Sequence, residues 1–340
     1  MEITIKIPRQ DKNSAGKWNT SLEKMVGGTA SEQSYTLDVD PGTSVLDALV
    51  KIREEQDGSL AFRGSCRTGM CGDCTLGSGR DHLVSCLTTV ESAANKEGEI
   101  ALTTMHNTEV IKDLVMDWNQ FIWNKYKSVR PWLESNGTGH KPVTEEALEP
   151  VRKAMRCTAC GLCDDGCTVI DIDKTFLGPA TLTKLYRFVK DPRDTDTKKR
   201  FLEASERGGL WDCVHCWEAS EHCPWGINPS HLIMDMRDQS LGLGIKSGRG
   251  NKIVARHYDG FAKSVRSSGW LDERALASKS YGLPPYGFSP SGIISQAPLA
   301  IKALRRGKAS LTPHPKRAGQ KDIAKIFEKE EQRKQNKGEE

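Results

Sequence analysis

Eleven cysteines fall into three spaced groups, and no other feature of this 340-residue chain limits its fold so sharply. The groups are Cys66, Cys71, Cys74 and Cys86; then Cys157, Cys160, Cys163 and Cys167; then Cys213, Cys216 and Cys223. Thiols at this density either form disulfides in an oxidising compartment or hold metal in a reducing one. The start, MEITIKIPRQ, alternates like a strand and lacks the apolar core of a secretory signal. No run of about 18 to 20 apolar residues occurs, so no membrane-spanning helix is expected. The chain therefore reads as cytoplasmic, with metal-binding thiols. The sequon Asn136-Gly137-Thr138 has no meaning in that compartment.

The first group has the spacing C-x4-C-x2-C-x11-C, the plant-type arrangement for a 2Fe-2S cluster. Gly64, Gly69 and Gly72 make a tight loop in which backbone amides can approach the sulfurs, and Cys86 supplies a fourth thiolate from a neighbouring strand. Structural zinc is the bland alternative, but it more often uses two separated C-x2-C pairs.

The second group, CTACGLCDDGC, is a C-x2-C-x2-C-x3-C run. In two-cluster bacterial ferredoxins the fourth cysteine of such a run ligates the other cluster. That crossing assigns Cys157, Cys160, Cys163 and Cys223 to a 4Fe-4S cluster and leaves Cys167, Cys213 and Cys216 for a third centre. In WDCVHCWEASEHCP, Ala219 stands where a run of this kind would place another thiol. Three thiolates suit a 3Fe-4S cluster. The competing reading is a second 4Fe-4S cluster whose last iron takes water, Glu218 or Ser220. Either way all eleven cysteines are used, and none is left for a disulfide or a catalytic thiol.

Residues 2–8 and 34–40 read as strands, 43–56 as a helix capped by Thr43 or Ser44, and short strands are expected near 73–77, 82–86 and 98–104. From about 108, Ile111, Leu114, Val115, Trp118, Phe121 and Ile122 recur at helical spacing. The fold class is α+β: an N-terminal β-grasp 2Fe-2S ferredoxin domain, then an all-α domain carrying two bacterial-ferredoxin-like clusters. The expected divisions are 1–107, a helical connector at 108–142, the two-cluster domain at 143–240 and an extension at 241–340. The polar break ESNGTGHKP separates the first pair of divisions from the rest, and YGLPPYGFSPSG is a Gly/Pro/Ser connection. The last twenty residues read as a charged helix fraying at its end.

A plant-type cluster domain followed by crossed cysteine runs resembles the iron–sulfur subunit of succinate dehydrogenase and fumarate reductase. The likeness covers roughly residues 1–240 and rests on CRTGMCGDC, EVIKDLVMDW, CTACGLC and CPWGINP. It implies an electron-transfer subunit that passes single electrons between an FAD-containing flavoprotein subunit and a membrane partner serving the quinone pool. FAD and the substrate site would lie on the flavoprotein. The complex would sit at the inner face of the cell membrane, held there by partner subunits. Three departures stand out. The last run is Cys213-x2-Cys216-x6-Cys223-Pro224, where the family usually has C-x5-C-x3-C-P, so the middle ligand has moved from 219 to 216. TVIDID at 168–173 replaces the family's proline and tryptophans, and Val214 replaces its histidine. A basic extension of about 100 residues has been added. These changes look more like the non-classical, archaeal-type branch, whose membrane partner is often a subunit similar to heterodisulfide reductase. His215, Trp217 and Trp225 are candidates for an electron exit or for packing, and Arg67 for stabilising the first cluster.

Charge divides along the chain. Residues 245–340 hold 20 Lys+Arg against 9 Asp+Glu, while residues 1–244 hold 29 against 36. The basic end is consistent with anionic lipid, an acidic partner or a solvated tail; no helix-turn-helix pattern or aromatic platform supports nucleic acid. No nucleophile–base pair or nucleotide loop stands out, so the chemistry is that of the cofactors.

Overall fold

The computed structural model describes residues 1–9, 31–79, 81–135, 137, 142–245, 252–282, 290–308 and 316–336. Asn136 and Thr138 of the sequon, the first linker at 10–30, most of YGLPPYGFSPSG and the chain end at 337–340 lie outside them. The chain forms two compact units, one of residues 1–204 with 208–243 and one of 244–340 with 205–207.

In the first unit β1 (Glu2–Arg9) pairs antiparallel with β2 (Ser31–Asp38), and α1 (Val45–Glu55) follows. Then come β3 (Thr75–Ser78), β4 (Asp81–Val84), the short α2 (Val90–Ala93) and β5 (Glu99–Thr103). The sheet order is β2-β1-β5-β3-β4, with β1 and β5 parallel and the other neighbours antiparallel. Ile3, Ile5 and Ile7 alternate inward on β1 and meet Tyr35, Leu37, Ile100 and Leu102 in one core. Val45, Leu46, Leu49 and Ile52 bury one face of α1 against that core. Ser44 caps the helix by accepting the Asp47 N–H at 3.0 Å. This is the mixed sheet over one helix that the sequence suggested.

The segment after β5 differs from expectation. Residues 110–116 form a hairpin, β6 (Val110–Lys112) and β7 (Val115–Met116), and helical structure begins only with a π-helical turn at Asn119–Trp123 leading into α3 (Asn124–Ser128). The turn residue Asp113 takes a left-handed φ of 47° and is buried. Its carboxylate accepts from Arg9 at 3.0 Å and from the Ala61 N–H at 3.0 Å. Those bonds from distant chain outweigh the local helical pattern.

The remainder of this unit is helical: α4 (Glu145–Met155), α5 (Leu162–Asp165), α6 (Thr168–Ile172), α7 (Gly178–Val189), α8 (Thr197–Ala204), α9 (Glu218–Glu221) and α10 (Pro229–Gly242). α7 is buried along most of its length and packs on α4, α5, α8 and α10. Asp164 anchors its start by accepting the Ala180 N–H at 2.7 Å. Arg200, fully buried, bonds both carboxylate oxygens of Asp194 and the carbonyls of Val129, Arg130 and Trp132. It ties α8 to the chain leaving α3.

The second unit contains α11 (Lys252–Ser268), α12 (Glu273–Tyr281), α13 (Pro290–Arg305) and α14 (Gln320–Asn336). α11 packs against α12 and α14, and Arg266 pairs with Glu331 at 2.6 Å. No described helix is long and apolar enough to cross a membrane.

Candidate metal centres

The irregular chain between Leu60 and β3 curls around the first thiol group. The N–H groups of Thr68, Met70 and Cys71 donate to Cys66 Sγ at 3.4, 3.2 and 3.3 Å, and that of Gly69 donates to Cys86 Sγ at 3.2 Å. Left-handed backbone at Arg67, Gly69 and Gly72 turns these amides inward. Gly64 has another role: a side chain there would strike Leu46 of α1. Hydrogen bonds, chiefly from Thr68, lower the Cys66 thiol to about 6, while burial pushes Cys74 up to about 12. Ser85 holds the loop in register by donating through Oγ to the Cys74 carbonyl at 2.7 Å. Four thiols, with inward amides donating to Cys66 and Cys86, fit an anionic 2Fe-2S cluster. Arg67 is exposed, and no contact places it on a sulfur.

Cys157, Cys160, Cys163 and Cys223 line one cavity, together with Gly161, Ala180, Thr183, Trp225 and Ile227. Cys157 follows α4, Cys163 lies in α5 and Cys223 follows α9. Positive φ at Ala159 and Gly161 wraps the first run, and Phe121 occupies the space where a Gly161 side chain would project. Trp225 Nε1 donates to Thr158 Oγ1 at 3.0 Å and so fastens the 223–227 segment to the first run. Burial raises all three thiols of that run, Cys160 to about 11. Such thiols stay protonated until a cationic centre draws the proton off. A thiol-lined, otherwise apolar cavity fits a 4Fe-4S cluster and offers nothing to a hard cation.

Cys167 is buried, Cys213 is partly buried and Cys216 is exposed. Burial first, with Asp164 and Cys213 nearby, pushes the Cys167 thiol up to about 12; burial and Cys216 raise Cys213. Arg237 of α10 is buried and donates to the carbonyls of Leu210 and Cys213, fixing the start of this loop. Of the two oxygen donors considered for a fourth ligand, Ser220 is engaged elsewhere and Glu218 is half-exposed. Ser220 Oγ bonds Asn228 and accepts the Ser230 N–H at 3.2 Å, and Glu218 lies 3.4 Å from His222. Ala219 is buried in the core. His215 and Trp217 stack at 4.8 Å, with Trp217 and Val214 exposed beside Cys216. Trp225 is not with them: its ring lies over Gly69, between the first loop and the second cavity.

The first two centres share backbone. A Cβ on Gly72 would lie 2.8 to 2.9 Å from the Cα and N of Cys160 and the Thr158 carbonyl. Thr75 Oγ1 also donates to the Cys160 carbonyl at 2.9 Å. Beside this contact is a seam that the cysteine pattern did not disclose. Asp165 receives His82 Nε2 at 2.5 Å, lies 3.4 Å from His106 Nδ1 and accepts the Asn107 N–H at 2.9 Å. Burial alone would raise this carboxyl; those bonds, led by the histidines, hold it at about 2. Its partners are 58 to 83 residues away, and only the position of Asp165 inside the second run hinted at a role.

Residues 4–123 match the family described as a 2Fe-2S iron-sulfur cluster binding domain, and residues 153–227 match the 4Fe-4S dicluster domain. Over 216 residues the chain is 36% identical to the mitochondrial succinate dehydrogenase (ubiquinone) iron-sulfur subunit 1 of Oryza sativa subsp. japonica, covering 62% of this chain and 75% of that relative. The chain belongs to the succinate dehydrogenase iron–sulfur subunit family. The mitochondrial iron-sulfur subunit of Candida glabrata succinate dehydrogenase is 34% identical over 215 residues, 61% of this chain and 83% of that one. A chain of the Mycobacterium smegmatis Sdh1 complex in the apo form agrees in fold, with a TM-score of 0.60 at 21% identity over 71% of this chain and 96% of that chain. As a succinate dehydrogenase iron–sulfur subunit, the chain is the electron-transfer member of an oxidoreductase and carries 2Fe-2S and 4Fe-4S centres.

Proposed function

We propose that this subunit relays electrons through three centres held by Cys66, Cys71, Cys74 and Cys86; by Cys157, Cys160, Cys163 and Cys223; and by Cys167, Cys213 and Cys216. The observation that carries the reading is the cavity at which Cys223 joins three thiols of a run some sixty residues earlier. The clusters, when bound, accept and release single electrons, which matches a two-electron flavin to one-electron carriers. The chain supplies the rest. Amides at 68–71 favour negative charge on Cys66, the Gly72–Cys160 contact keeps two sites adjacent, and apolar lining excludes water from the second.

The partners are a flavoprotein subunit and a membrane anchor. The exposed Cys216, Val214 and Trp217 favour the third site as the exit toward the anchor. Loss of the family's histidine and tryptophans there, with the displaced Cys216, favours an anchor of the heterodisulfide-reductase-like kind and a place in the archaeal-type branch. With Ser220 engaged, three thiolates favour a 3Fe-4S state for the third centre.

EPR of the anaerobically purified protein tests this assignment. A sharp oxidised-state signal that fades on reduction is expected. Cys216→Ala should abolish it, and Cys216→Ala combined with Ala219→Cys, which restores the family's spacing, should bring a signal back. Two interacting four-iron signals in the reduced protein, with none in the oxidised one, would sink the three-iron assignment.

A further inference from the structure

We propose that α13 and the basic residues after it lie directly on an anionic lipid surface, giving this chain a membrane contact of its own. Nine Lys and Arg and no Asp or Glu occur between residues 274 and 321. Within that stretch α13 is amphipathic and uncovered. Ile294, Ile301 and Leu304 recur at i, i+7 and i+10, one side of a helix, and are 74%, 50% and 45% exposed, while Leu299, 64% exposed, lies off that side. Ala297 lies on the same side. Lys302 and Arg305 border this strip, and Arg306 and Lys308 follow it, all four exposed. α11 packs broadly on α12 and α14, whereas α13 packs broadly on none of the described elements.

The chemistry selects lipid over protein as the occupant. Three large apolar side chains and an alanine on this side, with Leu299 alone on another, do not make the core of a stable protein interface, which buries about 1,600 Å². They do match an interfacial helix, whose apolar strip sinks to the headgroup boundary while long basic side chains at its edge reach the phosphates. One apolar strip alone anchors weakly, and a polybasic cluster is the second signal that makes such binding stable. Each basic side chain near an anionic surface changes partitioning by about fivefold. The inference does not depend on the cluster assignment.

The test is sedimentation of the full, cluster-loaded chain with vesicles of phosphatidylcholine alone or with one-third phosphatidylglycerol. Binding to the anionic vesicles only, weakening as salt rises, is expected. Lys302→Glu with Arg305→Glu should weaken it by at least about 25-fold, and Ile294→Glu with Ile301→Glu by at least tenfold. All variants should keep their cluster absorbance and EPR, which separates a docking defect from failure of the centres. Lys198→Glu with Lys199→Glu, on α8, should change binding less than twofold. Equal binding to neutral vesicles, an equal loss in the α8 variant, or binding only to vesicles that carry the membrane-anchor subunit would overturn the proposal.

Discussion

At Gly72 a single methyl group would have to share space with the backbone of Cys160 and Thr158. The residue also takes φ of 68°, so Gly72→Ala combines left-handed strain with a clash that no side chain can relieve. We expect a loss of about 2–5 kcal/mol, seen as a lower Tm and a disturbed second-centre EPR signal. Thr68→Val acts more gently. The Thr68 hydroxyl, with its N–H, helps hold negative charge on Cys66. One such bond is worth about 1 kcal/mol, so the first centre should fall in potential by roughly 40 mV in a redox titration. Both effects lie in residues that the spacing of the cysteines already marked. Trp225 was marked too, as a candidate for an electron exit or for packing. Its indole is turned to Thr158 by a partner 67 residues away, which no local pattern encodes.

Among the elements, the seam between β4, the turn after β5 and α5 should respond to pH from both sides. Asp165 sits at about 2, so its contribution is complete above about pH 4 and lost as pH falls through 2. The Asp165 hydrogen bond raises His106 above 6.5, so that contribution is complete below 6.5 and lost as pH rises through the raised value. The Tm deficit of His106→Gln should therefore be greatest between about pH 4 and 6.5 and shrink as pH rises through the raised value. Buried Arg200 predicts a larger, pH-independent effect. Arg200→Met leaves the Asp194 charge and three carbonyls without their donor, a loss of about 3–5 kcal/mol and about 10 °C in Tm. Adding Asp194→Leu should recover part of it. β1, β2 and α1 were legible because alternation and helical period were strong and locally capped. The 110–116 hairpin was not, because Ile111, Leu114 and Val115 also satisfy a helical period and the deciding bonds to Asp113 come from Arg9 and Ala61.

For the whole molecule, the three-centre scheme predicts about nine iron atoms per chain rather than ten, measured as iron and acid-labile sulfide on anaerobic protein. The eleven thiols let centres be assigned before any fold was known, since cluster chemistry tolerates few spacings. The supports around them, Arg237 on the Cys213 loop and Asp164 at the start of α7, were not readable, because buried polar partners follow three-dimensional proximity. The long reach to Cys223 has a consequence for biosynthesis. A nascent chain that has emerged past Cys86 already offers every thiol of its first centre. On the proposed ligand set, the second cannot be completed until the ribosome has passed residue 223. On the proposed ligand sets, the second and third centres can be filled only after translation is about two-thirds done.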